Sequence, residues 1–186
     1  MSTKRDDILN AALRLFSRRG FYGTTMPELA REAGVGAGTI YRYFDSKETL
    51  VNTLYQSWKA KITEDVYADL PADLPWRARF TLLWTRLFDF AHTHPEAFSF
   101  VDLHYHSDYL DEQSRMVEQM SAATLFTMVL EGQADQVLVD LPPAVLIAMV
   151  YSAFLGVVRA EQAGYVVVDE TLATATEERA WAMIRR

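Results

Sequence analysis

A helical spacing of apolar residues, cut near the N-terminus into unusually short pieces, narrows the folds open to this chain more than any other feature. Ile8, Ala11, Ala12, Leu15 and Phe16 recur at i, i+3, i+4, i+7 and i+8 and so share one face of a helix. Gly20 supplies a stop. Thr25-Met26-Pro27-Glu28 then has the form of a capping box. Thr25 is the N-cap, Glu28 follows three residues on, and Pro27 falls in the first turn, where its missing N–H does no harm. This second helix ends by Gly34-Val35-Gly36. A third runs from about Ala37 to Phe44, and Asp45-Ser46-Lys47-Glu48 repeats the capping pattern to open a fourth, with Val51, Leu54, Tyr55, Trp58, Ile62 and Val66 as its stripe.

Beyond residue 68 the pattern stays helical. The prolines of DLPADLP (Pro71 and Pro75) make a loop, and helices are expected near 76–93, 96–105, 109–133, 142–163 and 170–185, joined at Pro95, Gly132, Pro142-Pro143 and Gly164. Val166-Val167-Val168 is too short to build a sheet. The expected fold is all-α, about nine helices. From Ala144 to Val158 only Ser152 and Gly156 interrupt an apolar run, which at that length falls short of the roughly 20 residues a bilayer crossing needs. A helix apolar on every side must be covered on every side, so the 142–163 helix, with 170–185 beside it, is expected to form a homodimer interface reached by Val150 and Phe154.

Charge separates the two ends of the chain. The total is −7, yet residues 1–61 carry ten basic and six acidic side chains, a balance of +4, leaving −11 for the remainder. A basic head on an acidic body is expected where one end meets phosphate and the other does not. No cysteine is present, which excludes disulfides, thiol nucleophiles and thiolate metal sites. The N-terminal MSTKRDDILNAALRLF lacks the apolar core and cleavage site of a signal peptide, so a cytoplasmic protein without membrane attachment is expected.

Three short helices joined by glycine-containing turns, with a basic balance, describe a helix-turn-helix. In such a motif the second helix braces the backbone while the third enters the major groove. Gly36, Ala37 and Gly38 at the start of the third helix let the backbone come close to base edges, Thr39 and Arg42 project donors one turn apart, and Tyr43 and Lys47 are placed for phosphate, while Ile40 and Phe44 are free to face the core. The segment ILNAALRLFSRRGFYGTTMPELAREAGVGAGTIYRYFDSKETLV, residues 8–51, closely resembles the DNA-binding domain of TetR/AcrR-type regulators. The match includes Gly20, Phe21, Thr24-Thr25, Leu29-Ala30, Ala33-Gly34-Val35, Gly38-Thr39-Ile40-Tyr41, Phe44, Lys47 and Leu50. The resemblance implies a DNA-binding domain at 1–46 and an effector-binding and dimerisation domain at 47–186, with double-stranded operator DNA and a small-molecule effector as partners and no cofactor. It implies DNA contacts from Thr25, Thr39, Arg42, Tyr43 and Lys47 and places Tyr41 where relatives carry a tyrosine packed near the DNA face, as a contact or as support, while Ala37 and Gly38 join the candidate DNA-binding residues through the close approach of their backbone. Departures at Gly36, Pro27, Arg42 and Tyr43 bear on which operator is read.

The middle of the chain, 76–130, is dense in aromatics and methionines, the lining expected of an apolar pocket. Trp58, Trp84, Phe88, Phe100, His104 and Met120 are the candidate lining residues, and the acidic body favours a neutral or cationic effector. All four histidines, His92, His94, His104 and His106, lie within fifteen residues of one another. Their i, i+2 spacing points paired rings to opposite sides of a helix, so no metal site is expected, and the Asp102–His106 and His104–Asp108 spacings favour separate polar pairs. A metal-dependent hydrolase built on this cluster would lack HExxH, GxSxG and any phosphate-cradling glycine loop. An architectural DNA-binding protein would be basic throughout. Neither reading accounts for the whole chain.

Overall fold

The computed structural model describes residues 3–71 and 73–186; Ala72 of the proline loop, and Met1 and Ser2, lie outside them. The described residues form nine α-helices: α1 Lys4–Arg19, α2 Met26–Glu32, α3 Ala37–Tyr41, α4 Lys47–Ile62, α5 Trp76–Thr93, α6 Pro95–His104, α7 Glu112–Ala134, α8 Pro143–Gln162 and α9 Glu170–Ile184. A π-helical turn, Thr63–Tyr67, extends α4. The only β-type pairing among them is an isolated bridge between Leu138 and Arg185.

Local chemistry explains the breaks. Gly20 (φ 67°) and Gly34 (φ 66°) occupy the left-handed region that a side chain disfavours, so α1 and α2 stop there. Gly23 is required for a different reason: a Cβ there would lie 2.3 Å from the Arg19 carbonyl oxygen. Thr25 caps α2, its backbone N–H donating to Glu28 Oε2 at 2.9 Å. The cap of α4 falls one residue later than the expected box. Ser46 accepts from the Thr49 N–H at 3.0 Å, and Asp45 stays outside the helix.

The chain divides into two compact units. The first comprises Met1–Val66 and Asp89–Gln119. Its core takes Ile8, Ala12 and Phe16 from α1, Leu29 and Ala30 from α2, Ile40 and Phe44 around α3, Leu50, Val51, Leu54 and Tyr55 from α4, and Phe100 and Val101 from α6. The 46/47 boundary expected from the resemblance falls inside this unit, because α4 and α6 complete the core of the three short helices.

The second unit comprises Tyr67–Phe88 and Met120–Arg186. Here Phe154 of α8 is fully buried, with Phe88 edge-on at 4.8 Å and Trp84 at 5.7 Å between ring centroids. Val150 packs against Leu138, Leu146 and Ile184. Of the two residues chosen from sequence for a dimer interface, Phe154 therefore faces its own core and Val150 is half-buried beside it. The choice of Phe154 is corrected because an apolar run carries no signal for which side turns inward. Glu177 of α9 is buried and held by the Arg77 guanidinium of α5 through two bonds, one of 2.6 Å, with the Thr81 hydroxyl donating at 3.0 Å. Helix α8 spans 20 residues, longer than the apolar run, and is long and apolar enough to cross a membrane by length and composition alone. Leu146, Phe154 and Val158 nevertheless pack it into the helical core of this unit.

Candidate DNA-binding site

Helix α3 presents two different faces. Ile40 and Phe44 are buried in the first unit's core and fix the helix on its support. Ala37, Gly38, Arg42, Tyr41 and Tyr43 are exposed, and Thr39 is half-buried. Arg42 forms no ion pair among the described residues, so its guanidinium is uncommitted. Gly36 is the N-cap and offers no side chain to the first turn. The amides of Ala37 and Gly38, which an α-helix leaves without an intrahelical partner, therefore lie at exposed positions. A side chain at Gly38 would meet nothing within 4 Å, so that flank of α3 is open.

Helix α2 is braced on α1 by Arg14–Glu32 at 2.9 Å and Arg19–Glu28 at 3.3 Å. These pairs are solvent-exposed and contribute little individually. Thr25 is exposed at the start of α2, but its hydroxyl donates to Glu28 Oε2 at 2.8 Å. That hydroxyl, followed by the Thr25 amide, holds the Glu28 carboxyl below the ordinary carboxylate range. A phosphate approaching Thr25 would compete for the hydroxyl proton.

Lys47 is turned inward to a degree the sequence does not signal. Its Nζ donates to the carbonyls of Phe21 at 2.8 Å and Thr24 at 2.9 Å, and it sits 4.0 Å from the centre of the Phe21 ring. The ammonium thus clamps the α1–α2 turn to the start of α4, and one of its three donors remains for a phosphate.

Residues that sequence reasoning missed hold the same turn from the other side. The Tyr109 ring stacks on Phe21 with centroids 4.0 Å apart, and the Tyr22 hydroxyl donates to Asp108 at 3.0 Å. Asn52 of α4 is buried and saturated: it donates to the carbonyls of Glu48 and Tyr109 at 2.8 and 2.9 Å, and accepts from the Asp111 amide at 2.9 Å and the Ser114 hydroxyl at 2.7 Å. The signal for Asn52 was present, since an amide among apolar stripe residues of a helix calls for partners. Its partners, nearly sixty residues away, were not legible.

Of the expected pocket residues, Trp58, Phe100 and His104 fall in the first unit and Trp84, Phe88 and Met120 in the second. Trp58 packs on Phe90 and His94. Phe100 and His104 are core residues against Phe16. Trp84 and Phe88 belong to the second unit's core around Phe154, and Met120 is exposed. Trp84 also lines an apolar groove of the second unit with Ala153 and Val157.

The histidine cluster dissolves in the fold. Helix α6 ends at His104, and His106 has a left-handed backbone (φ 57°), so positions 104, 106 and 108 are not on one helix. His104 pairs with the Tyr109 hydroxyl, while Asp108 is taken by Tyr22, so the expected His104–Asp108 pair is not made. His106 lies 3.3 Å from buried Glu118. Among the described residues no group of three or more side chains is placed to hold a metal.

His104 is fully buried, and burial pushes its pKa down from 6.5 to about 4, against the opposing pull of the Phe16 carbonyl 3.5 Å away. That carbonyl can only accept, so Nε2 carries the proton and Nδ1 accepts from Tyr109. Because the folded value is depressed, stability is complete above the unfolded pKa and falls as pH drops from 6.5 towards 4, by about 3 kcal/mol. Chemical denaturation of the wild type and His104→Asn at pH 7.5 and 4.5 measures this; an equal loss in both proteins places the acid sensitivity elsewhere.

With this geometry in hand, comparison with known proteins gives a consistent result. Residues 8–61 match the family model for bacterial regulatory proteins of the tetR family, and residues 55–186 match the tetracyclin repressor-like C-terminal domain. Among curated relatives, the chain is 46% identical over 48 residues to the HTH-type transcriptional regulator HbdR of Aromatoleum sp., covering 26% of this chain and 21% of that protein. It is 37% identical over 57 residues to the HTH-type transcriptional repressor KstR2 of Rhodococcus jostii, covering 31% and 28%. These matches therefore span less than a third of either relative. Among solved structures, a TetR family protein described as a transcriptional regulator from Vibrio parahaemolyticus superposes with a TM-score of 0.81 at 28% identity over 99% of both chains. A TetR family regulator from Shewanella sp. PV-4 gives 0.84 at 24% identity over 100% of both, a likeness of fold.

Proposed function

Because the chain belongs to the TetR family of bacterial regulatory proteins, a family of transcriptional regulators and not of enzymes, we propose that it is a cytoplasmic repressor. In this reading it binds a palindromic operator as a homodimer and is released by a small, largely apolar effector. Residues 1–46 read DNA; 47–186 take the effector and dimerise. One observation carries the DNA reading: α3 is anchored through Ile40 and Phe44 while the unpaired Arg42, with Tyr41 and Tyr43, is turned to solvent beside the half-buried Thr39. A helix held on one side with donors on the other fits a major groove.

Dimerisation through α8 and α9 rests on α8. Its buried residues occupy one side, while Ala144, Ala148, Ser152 and Gly156, spaced four apart, are exposed beside Val145 and Tyr151. Small residues at that spacing permit a second helix to approach closely. A twofold dimer places its recognition helices about one DNA turn apart, roughly 34–36 Å.

Selection from random duplex DNA is expected to return an inverted repeat, with affinity falling steeply as salt rises because bound Lys and Arg release counterions. Arg42→Ala should relax base preference at one position of each half-site by roughly 1–3 kcal/mol. Lys47→Ala should weaken all sequences alike. Recovery of sequences without twofold symmetry, or unchanged binding by Arg42→Ala, would count against the assignment.

A further inference from the structure

Arg5 stands in the first turn of α1, where a cation opposes the helix's own field. The amide end of a helix carries partial positive charge, so acidic side chains stabilise it and basic ones do not. Asp6 and Asp7 follow that rule in the same turn. Asp6 completes a capping box with Thr3: its carboxylate accepts from the Thr3 amide at 2.9 Å, and its own amide donates to the Thr3 hydroxyl at 3.2 Å. Arg5 is exposed, and its guanidinium forms no ion pair or hydrogen bond among the described residues. Helix stability therefore gives no reason for this cation.

The guanidinium is instead held at the end of α3. Its carbon lies 5.5 Å from the centre of the Phe44 ring, within cation–π range. Phe44 is fixed in the core of the first unit, and it directly follows the exposed Arg42 and Tyr43. A contact with a ring consumes none of the five N–H donors of a guanidinium, so all remain for an acceptor.

We propose that Arg5 is a further DNA contact, lying outside the 8–51 segment that carries the family resemblance: Phe44 positions its guanidinium beside the exposed end of α3, where it pairs with a backbone phosphate. Phosphates recur every 3.4 Å of axis along each strand, so a cation flanking a helix seated in the groove has one within reach. Phosphate is favoured over a base edge because Arg5 belongs to α1, beside the reading helix and not on it. A guanidinium already resting on a ring loses less freedom on binding than a free one. The inference rests on the reading that α3 enters the major groove, and it adds a contact that acts on every sequence alike.

The test uses the full-length protein and two duplexes, the tightest sequence selected with the wild type and an unrelated one of equal length. Both are titrated by fluorescence anisotropy over a range of KCl concentrations. Arg5→Ala is expected to weaken binding to both at least fivefold and to lower the slope of log affinity against log salt by about 0.9 for each head bound. Its Tm should stay close to that of the wild type, since the lost ring contact is offset by removing a cation from the positive end of α1. A purely structural residue would lower Tm and leave the slope unchanged. Arg5→Lys should keep the slope. Phe44→Leu keeps an apolar side chain in the core and removes the ring, so it should weaken binding more in the wild-type background than in Arg5→Ala. Unchanged affinity and slope in Arg5→Ala, a loss confined to the selected duplex, or equal effects of Phe44→Leu in the two backgrounds would each overturn the inference. Wild-type protein that binds neither duplex removes the DNA reading and this contact with it, whereas wild-type binding that Arg5→Ala leaves intact removes the contact alone.

Discussion

Gly156→Glu is expected to turn a dimer into monomers at micromolar concentration and to reduce operator affinity at least a hundredfold. The substitution tests the interface cleanly because of where Gly156 sits. A Cβ there meets nothing within 4 Å in its own chain, so the variant should fold as the wild type does. A carboxylate on the Ala144, Ala148, Ser152 stripe would instead enter an apolar helix contact without a partner, where an unpaired charge is strongly unfavourable. Loss of the dimer leaves each head to bind one half-site alone, and two linked heads gain about 10² to 10⁴ in avidity over one. Sedimentation velocity gives the mass, circular dichroism checks the helix content, and fluorescence anisotropy on a palindromic duplex gives affinity. A Gly156→Glu protein that stays dimeric places the interface elsewhere. Phe154→Glu would not make this distinction, since Phe154 is buried between Trp84 and Phe88 and its loss would unfold the second unit.

Asn52→Leu is expected to destabilise the protein by about 3–5 kcal/mol, since a near-isosteric apolar side chain would strand several buried groups at about 1–3 kcal/mol each. The Tyr109 carbonyl, the Asp111 amide and the Ser114 hydroxyl would lose their partner together. For a chain of this size that corresponds to a fall of roughly 10–15 °C in Tm. Asn52→Asp keeps the two accepted bonds and loses the two donated ones, so it should fall between the wild type and Asn52→Leu. Thermal unfolding of the three proteins decides it. A loss below about 1 kcal/mol for Asn52→Leu would mean that water replaces the amide in this network.

Both variants separate what is written locally from what is not. The helix boundaries were legible because their causes lie within four residues: Thr25 with Glu28, glycine in the left-handed region at 20 and 34, and proline at 95 and 143. The inward face of α3 was legible too, since Ile40, and Phe44 just beyond the helix end, are the large side chains there without a polar group. The cap of α4 was misplaced by one residue because Asp45 and Ser46 are both good caps, and the geometry of the preceding turn chose between them.

An all-helical chain, a helix-turn-helix near its N-terminus and the outward surface of α3 follow from residue order alone, because periodicity and capping act over one or two helical turns. Contacts between distant elements decided that Lys47 clamps carbonyls more than twenty residues away, that Asn52 joins α4 to the 109–114 segment, that His94, His104 and His106 take unrelated partners, and which side of α8 is covered. Those outcomes depend on contacts between residues far apart in the chain. Side-chain spacing reports which residues share a helix face, but burial is settled only when a second element arrives to cover it.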